Sequence, residues 1–345
     1  MIDPHIHQWD PFTTPREQSR MARLFRPFPR VPKWMQVLAP KIDREFVGDP
    51  NHAIKPYLPA NYQADAGVLP VTKVVHIEAA WASEEPMGFV EETRWVAALP
   101  FGQDGRPELA GIVVKGDPRW PDLGAVLDGH LEASPLVRGV RHSLANHPDP
   151  QVRGFEDDPR AVVDDRFVDG FRAIAERGMT FELWMLAHQL PDAVRLVREY
   201  PETTFVLDHY ATPVGIFGPR GKHTARTEQE RADILARWRD DVSAIAAHPN
   251  VVAKHSGLGM PLLGPIPDQP YARHSMGAIT EQAGPLIQHL HDVFGPERSM
   301  WASNFPMDRP VLEMPASAQI LLDVLGADAD PQRMFHDVAA RTYRI

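Results

Sequence analysis

The sequence predicts an α/β fold: a (β/α)8 TIM barrel with an N-terminal insertion over the C-terminal mouth, in a single domain of residues 1–345. Three observations predict it. Eight short apolar runs occur along the 345 residues. Helical patterns separate several of these runs, which is typical of βαβ units and a parallel sheet. A barrel of this kind needs about 250 residues, so the chain has residues to spare for long excursions.

The predicted strands are short runs bounded by turn residues and, in most cases, rich in β-branched or aromatic residues. In chain order they are "MIDPHIHQWD" (1–10), "TKVVHIEAAW" (72–81), "PELAGIVVKGD" (107–117), "LVRGVRHSL" (136–144), "GMTFELWMLAH" (178–188), "TTFVLDHYATP" (203–213), "NVVAKHSGLG" (250–259) and "RSMWASNFPMD" (298–308).

Four helical patterns lie between the later strands. Each has apolar residues at helical spacing, and Gly or Pro stands at one or both of its ends. They are "FVDGFRAIAERG" (167–178), "LPDAVRLVREYP" (190–201), "RADILARWRDDVSAIAAHP" (231–249) and "GPLIQHLHDVFGP" (284–296).

Three segments remain between the predicted elements. Residues 11–70 are rich in Pro, Arg and Lys without a clear period, and we expect them to form a lid over the barrel mouth. Residues 144–166 and 257–280 are two further candidate excursions. The basic stretch from Arg16 to Lys41 is typical of a solvated surface, and the alternative is a lid that attracts an anionic substrate.

The composition limits the class of function. The formal net charge of −10 argues against a nucleic-acid partner. The sequence contains no Cys, which excludes disulfides and thiolate sites, so that a metal would have to use His and carboxylate ligands. The chain begins with polar residues and no apolar run approaches the length of a membrane span. We therefore expect a cytoplasmic protein that acts on a small molecule away from membranes, and a homo-oligomer is compatible with this sequence.

Histidines and charged residues recur where the predicted strands end, which is the side of a parallel barrel that carries the active site. In strand order they are His5 and His7, Glu78, Arg141 and His142, His188, Asp208 and His209, Lys254 and His255, and Asn304 with Asp308 four residues later. One such histidine is ordinarily a hydrogen-bonded structural residue. Histidines at the ends of five strands instead favour a metal or proton-transfer site.

Several of these stretches carry a family resemblance. The segments "DPHIHQWD", "VVHIEAAW", "AHQLPD", "VLDHYATP", "KHSGLGMP", "SNFPMDR" and "FHDVAARTYRI" resemble the amidohydrolase-related family of (β/α)8-barrel hydrolases. They are most similar to its branch of L-fuconolactonase-like and 2-pyrone-4,6-dicarboxylate lactonases. The resemblance implies a pair of histidines on the first strand and hydrolysis at a carbonyl centre, often with a divalent metal.

The candidate metal ligands are His5, His7, His188 and His209. Neutral imidazoles suit zinc, and a zinc-bound water would have its pKa lowered towards neutrality. Attack of that water on an ester carbonyl forms an oxyanion, which the metal, Arg141 or a neutral histidine could stabilise. The candidate catalytic residues are accordingly His188, His209, Asn304, Asp308 and Arg141.

The candidate substrate-binding residues are Glu78, Arg141, His142, Lys254 and His255. For Arg141 and Lys254 two interpretations stay open, a salt bridge to a neighbouring carboxylate or a contact with a substrate carboxylate. The tryptophans near strand ends either wall the pocket or pack between the barrel and its helices. They are Trp9, Trp81, Trp184 and Trp301.

Asn304 departs from the family pattern, in which Asp at this place binds metal and moves a proton. An amide is a weaker ligand and cannot act as a general base. The resemblance therefore permits a metal that is weakly held or absent, and the base could be Asp308, Glu78 or Asp208. Strand alternation predicts that Asp208 points away from His209, which favours a structural role for Asp208.

The function predicted is hydrolysis of a lactone or another activated cyclic ester. The alternatives are a metal-dependent non-oxidative decarboxylase on the same barrel, and a catalytically impaired barrel that only binds a small molecule, which Asn304 favours.

Overall fold

The structure is a computed structural model that describes residues 1–16, 19–28, 30–36, 39–264 and 276–345. Eight parallel strands follow one another around a nearly closed barrel, each hydrogen-bonded to the next in chain order. They are β1 (Ile2–Ile6), β2 (Lys73–Ile77), β3 (Glu108–Lys115), β4 (Val137–Arg141), β5 (Thr180–Leu183), β6 (Phe205–Leu207), β7 (Val251–His255) and β8 (Ser299–Trp301). The predicted fold class and its eight strands are confirmed.

The barrel closes where β1 meets the segment after β8. Ile6 and Phe305 form a parallel bridge. The amide of His7 donates to the carbonyl of Phe305 at 2.8 Å, and the amide of Asn304 donates to the carbonyl of His5 at 3.0 Å. This closure brings the His pair of β1 next to Asn304.

Helices connect the strands and cover the outside of the barrel. They are α1 (Ser19–Phe25), α2 (Lys33–Gln36), α3 (Lys41–Val47), α4 (Pro59–Ala66), α5 (Val90–Ala97), α6 (Leu123–Ala133), α7 (Asp165–Gly170), α8 (Arg172–Glu176), α9 (Leu190–Glu199), α10 (Glu228–Ala246), α11 (Met276–Phe294), α12 (Met314–Leu325) and α13 (Val338–Tyr343). The helical patterns at 190–201, 231–249 and 284–296 lie in α9, α10 and α11, and the pattern at 167–178 divides between α7 and α8. No helix in the described part of the chain is both long and apolar enough to cross a membrane.

Two apolar clusters pack against the barrel sheet, one on its outer face and one on its inner face, because neighbouring residues of a strand point to opposite faces. The larger cluster lies between strands and helices and includes Phe171, Phe181 and Phe205. The smaller cluster takes the alternate strand positions, such as Val75 and Val113, together with residues of α13. The last helix therefore closes the bottom of the barrel and leaves the opposite end for a site.

The segment 11–70 carries α1 to α4 and passes over the barrel mouth, as predicted. Its residues Phe46, Val47 and Ala53 line the cavity there. Parts of two predicted excursions, namely 17–18, 29, 37–38 and 265–275, lie outside the described residues. The assignment of the chain to a single domain stays a prediction.

Candidate active site at the barrel mouth

A cavity of about 640 Å³ opens at the C-terminal ends of the strands. Its polar lining comes from six strand ends and includes His7, Glu78, Lys115, Arg141, His209 and Asn304. Its apolar lining comes from segments beyond the strand ends and includes Trp9, Phe46, Trp81, Phe89, Phe155, Trp184 and Met260. A volume of this size suits a small organic ligand, and aromatic walls with a few polar groups on the floor are typical of such sites.

Three side chains at the floor bring candidate ligand atoms together. One atom from each of His5, Asp208 and His209 lies within 4.8 Å of the others. The ring of His5 lies 4.5 Å from that of His209 and 5.0 Å from that of His7, between centroids. The side chains of His5, His7, Asp208 and His209 are all buried. The geometry therefore joins the first and sixth strands, as expected for His5, His7 and His209.

A backbone contact fixes the tautomer of His7. Its Nδ1 lies 2.9 Å from the carbonyl oxygen of Ile77, which can only accept, so that Nδ1 carries the proton and donates. Burial, with Arg141 nearby, holds the pKa of His7 well below its usual value. The ring is therefore neutral, and its Nε2 offers a lone pair.

His5 lies between a cation and an anion. Its Nδ1 is 3.1 Å from Nζ of Lys254 and 3.3 Å from Oδ1 of Asp208, while its Nε2 has no hydrogen-bond partner. Lys254 can only donate, so in one tautomer Nδ1 accepts from it; in the other, a proton on Nδ1 faces Asp208 and leaves Nε2 with a free lone pair. Burial is the main cause that holds the pKa of His5 well below its usual value, and burial also lowers that of His209 to about 3. Both rings are neutral at physiological pH.

The turn after β6 explains how two consecutive residues reach the site. Strand β6 ends at Leu207, and the backbone enters the left-handed region at His209, where φ is 53°, and stays there through Thr212. Four such residues in succession, none of them Gly, store strain that surrounding contacts must offset. Because the strand has ended, its alternation no longer applies, and Asp208 and His209 both point to the floor.

A charged network underlies the cavity inside the barrel. The ammonium of Lys254 donates to Oε2 of Glu182 at 2.5 Å and lies 3.1 Å from Oδ1 of Asp208. Burial alone would raise the pKa of Asp208, but Lys254 and His5 hold it well below its usual range. Burial raises the pKa of Glu182 to about 8. Asp208 therefore carries the negative charge that balances Lys254.

Arg141 and Glu78 form a pair on the cavity wall. Nε of Arg141 donates to Oε1 of Glu78 at 2.8 Å, and one terminal nitrogen donates to the Glu78 carbonyl at 2.8 Å. The guanidinium lies 5.4 Å above the ring of Trp184. Burial would raise the pKa of Glu78, but Arg141 lowers it to about 2. The salt-bridge interpretation of Arg141 is thus observed, and its Nη1, which lies 3.8 Å from Oδ2 of Asp208, makes no hydrogen bond to Glu78.

Asn304 lines the cavity, and Asp308 lies directly behind it. Nδ2 of Asn304 donates to Oδ1 of Asp308 at 2.6 Å, and the amide of Gly259 donates to the other carboxylate oxygen at 3.0 Å. Both side chains are buried. The contact commits one N–H of the Asn304 amide to Asp308, which fixes the orientation of this side chain where it meets the cavity.

The residues fit a divalent metal ion. Imidazole nitrogens and a carboxylate are the ligands that zinc and similar ions prefer. The unpartnered Nε2 of buried His5 would gain a partner, and the oxygens of Asp208 make ion pairs but no aligned hydrogen bond.

Comparison with known proteins identifies the family of this chain. A sequence profile of the family described as amidohydrolase matches residues 2–345. The chain belongs to the amidohydrolase family. As a member of that family it is an enzyme, and the fold expected from the resemblance is the one observed.

Known relatives match either all or part of this chain. An uncharacterised protein of Sinorhizobium fredii, y4mH, is 28% identical over 100% of this chain and 98% of its own. An L-fucono-1,5-lactonase of Burkholderia ambifaria is 28% identical over 64% of this chain and 66% of its own. The crystal structure of an amidohydrolase from Burkholderia multivorans with bound zinc covers 100% of this chain and 99% of its own, with a TM-score of 0.69 and 22% identity.

His188 does not lie with the other histidines, which corrects the predicted ligand set. Strand β5 ends at Leu183, and the chain then runs past the mouth to a turn at Ala187–Gln189. There the side chain of His188 is exposed, with its ring 5.3 Å from that of His147. His188 lies five residues beyond the end of β5, and at that distance the chain has already left the floor of the cavity.

Three predicted substrate-binding residues do not line the cavity of this amidohydrolase. His142 follows inward Arg141, so it faces the other way, and its Nε2 lies 2.7 Å from Glu156. His255 likewise faces the outer helices, with Nδ1 3.1 Å from the Tyr210 hydroxyl. Lys254 points inward but lies below the cavity in the charged network. Of the predicted set, Glu78 and Arg141 are the two that reach the lining.

Sequence reasoning missed Lys115 and Glu182 and misplaced Asp208. Lys115 ends the apolar run "GIVVK", and Glu182 interrupts the apolar run "TFELW", so that a charged residue inside a predicted strand was the available signal. Of the tryptophans, Trp9, Trp81 and Trp184 line the cavity, whereas Trp301 is fully buried and donates to Ser317.

Proposed function

We propose that this amidohydrolase hydrolyses a lactone at the floor of the cavity, with a divalent metal, most suitably zinc, at His5, Asp208 and His209. The proposal rests on one observation above the others: neutral histidines and a carboxylate converge beneath an aromatic-walled cavity. The likeness to an L-fucono-1,5-lactonase supports the choice of a cyclic ester.

The reaction needs a water near the lactone carbonyl and a donor for the oxyanion. A metal held by these three residues would polarise the carbonyl and lower the pKa of the water. His7 offers its Nε2 lone pair to orient that water, because Nδ1 is committed to Ile77. Nη1 of Arg141 offers N–H groups to the oxyanion, because Nε and the other terminal nitrogen are committed to Glu78.

The side chains around the floor keep this geometry rigid. Glu78 holds the guanidinium of Arg141, and Asp308 holds the amide of Asn304 at the cavity lining.

In the proposed hydrolysis, the water oxygen bonds to the carbonyl carbon, the ring C–O bond breaks, and the water proton ends on the departing ring oxygen. The product is an open-chain hydroxy acid.

The test measures hydrolysis of a panel of aldono- and aryl lactones, with the metal content of each preparation determined by elemental analysis. We expect the double variant His5→Ala/His7→Ala to lose metal and hydrolysis while the circular dichroism of the fold persists. The matched control is His188→Ala, which should retain both, because His188 lies outside the floor. Full activity of the double variant would refute this site, and release of carbon dioxide from aromatic carboxylates without lactone hydrolysis would replace the lactonase with the decarboxylase alternative.

A further inference from the structure

The cavity contains a cation that the proposed hydrolysis does not use. Lys115 is the last residue of β3, is half-buried, and lines the cavity. It pairs in register with Arg141 on β4, so that the two cations stand at the same level of the barrel. Val113, two residues earlier, belongs to the inner apolar cluster, and the alternation of the strand therefore directs Lys115 inward as well.

Within the described residues, no hydrogen bond or ion pair reaches Nζ of Lys115, although Glu78 lies near enough for the positive charge of Lys115 to help lower its pKa. The other two cations of the cavity are engaged. Arg141 is held by Glu78, and Arg16 lies 5.0 Å above the ring of Trp9. A partly buried ammonium without a hydrogen-bonded partner is costly, and a bound anion would offset that cost.

The surroundings favour a carboxylate over a more highly charged anion. Glu78 and Glu84 also line the cavity and would repel a dianionic phosphate, whereas a single ammonium neutralises a single carboxylate. Aromatic rings from Trp81, Phe89 and Trp184 provide apolar walls for the body of the ligand.

We propose that Lys115 binds a carboxylate of the substrate, so that the substrate class is a lactone that carries a carboxylate away from its reacting carbonyl. This inference rests on the proposed lactonase function for its catalytic form. The binding of a carboxylate at Lys115 can nevertheless be measured without any turnover.

The kinetic test compares D-glucaro-1,4-lactone with D-glucono-1,4-lactone, which differ by a terminal carboxylate in place of a hydroxymethyl group. We expect Lys115→Met to lower kcat/KM for the carboxylate lactone by roughly 10- to 100-fold, mainly through KM, since a hydrogen bond to a charged group contributes in that range. The neutral lactone should change less than about twofold, and Lys115→Arg should retain most of the preference. Lys73→Met, at the opposite end of neighbouring β2, is the control.

The binding test uses isothermal titration calorimetry with benzoate and its neutral isostere benzamide. We expect benzoate to bind more tightly than benzamide to the wild-type protein and to lose that advantage in Lys115→Met; Lys115→Gln replaces this variant if it fails to fold. An equal kinetic loss for both lactones, or an unchanged benzoate affinity, would overturn the inference. If neither lactone is hydrolysed but benzoate binding depends on Lys115, the lactonase proposal fails while the carboxylate site stands.

Discussion

Asn304 and Asp308 show how one residue position alters the chemistry of the floor. The amide donates to the carboxylate at 2.6 Å, and an ionised Asp308 favours that orientation because both of its oxygens can only accept. Burial raises the pKa of Asp308 to about 7, despite the N–H donors that favour its charged form. The orientation of Asn304 is therefore sensitive to pH in the physiological range.

We predict an acidic limb near pH 7 in the profile of kcat/KM for lactone hydrolysis. As pH falls through about 7, Asp308 takes up a proton and becomes a donor, so that the amide of Asn304 can turn to accept from it and its contact with a ligand changes. Above that pH the carboxylate is ionised and activity is full. Asp308→Asn should lack this limb, whereas the exposed control Asp337→Asn should keep it; an identical limb in Asp308→Asn would contradict the assignment.

Asn304→Asp should change metal affinity in a way that depends on Asp308. A carboxylate binds a divalent ion more strongly than an amide does. However, two carboxylates at 2.6 Å would share a proton, which reduces the gain. We therefore expect zinc affinity, measured by competition with a chromophoric chelator, to rise more in Asn304→Asp/Asp308→Asn than in Asn304→Asp alone. Unchanged affinity in both would show that position 304 does not face the metal.

Among the helices, α10 begins at a residue that side-chain hydrogen bonds at its N-terminus determine. The hydroxyl of Thr227 accepts from the amide of Glu230 at 3.1 Å, and the Glu230 carboxylate accepts from the amide of Thr227 at 3.0 Å. This capping box satisfies two N–H groups that have no helical partner. The helix accordingly begins at Glu228, ahead of the pattern at 231–249.

Removal of that cap should destabilise the protein without affecting the site. We expect Thr227→Ala to lower the free energy of unfolding by about 1 kcal/mol, measured by urea denaturation. Lactone hydrolysis should stay unchanged, because Thr227 does not line the cavity. Gln229→Ala, an exposed change in the same turn, is the control, and an equal effect of both variants would argue against the capping interaction.

At the scale of the whole molecule, the network around Lys254 connects distant parts of the chain. Lys254 on β7 contacts His5 on β1, Glu182 on β5 and Asp208 after β6. The hydroxyl of Tyr343 in α13 donates to Glu182 at 2.6 Å, so that the last helix joins the network. These contacts hold four strands and the bottom of the barrel in one arrangement.

Lys254→Met should therefore destabilise the entire barrel. The substitution leaves Asp208 buried beside an apolar side chain, and breaking a buried pair from one side costs about 3–5 kcal/mol. Chemical denaturation monitored by tryptophan fluorescence measures this loss, with the surface variant Lys222→Met as the control. Wild-type stability in Lys254→Met would show that the charge of Asp208 does not depend on Lys254.

The sequence by itself determined the strands and the direction of the residues within them. Apolar runs with turn residues at their ends predict all eight strands, because a buried strand needs both. Within a strand the alternation of side chains is a local rule, and it correctly directs His5 and Arg141 into the barrel. The family resemblance added the expectation of a hydrolase before any contact was known.

Only the tertiary structure decided what lies beyond the strand ends. Asp208 turns inward and His188 turns outward, because after Leu207 and Leu183 the backbone dihedral angles depend on packing between distant segments. The partners of charged residues are likewise long-range: Lys254 on β7 is balanced by Asp208 after β6 and donates to Glu182 on β5, whereas Lys115 makes no hydrogen bond or ion pair among the described residues. Local pattern sets which way a strand residue points, but the electrostatic role of that residue depends on what the fold places against it.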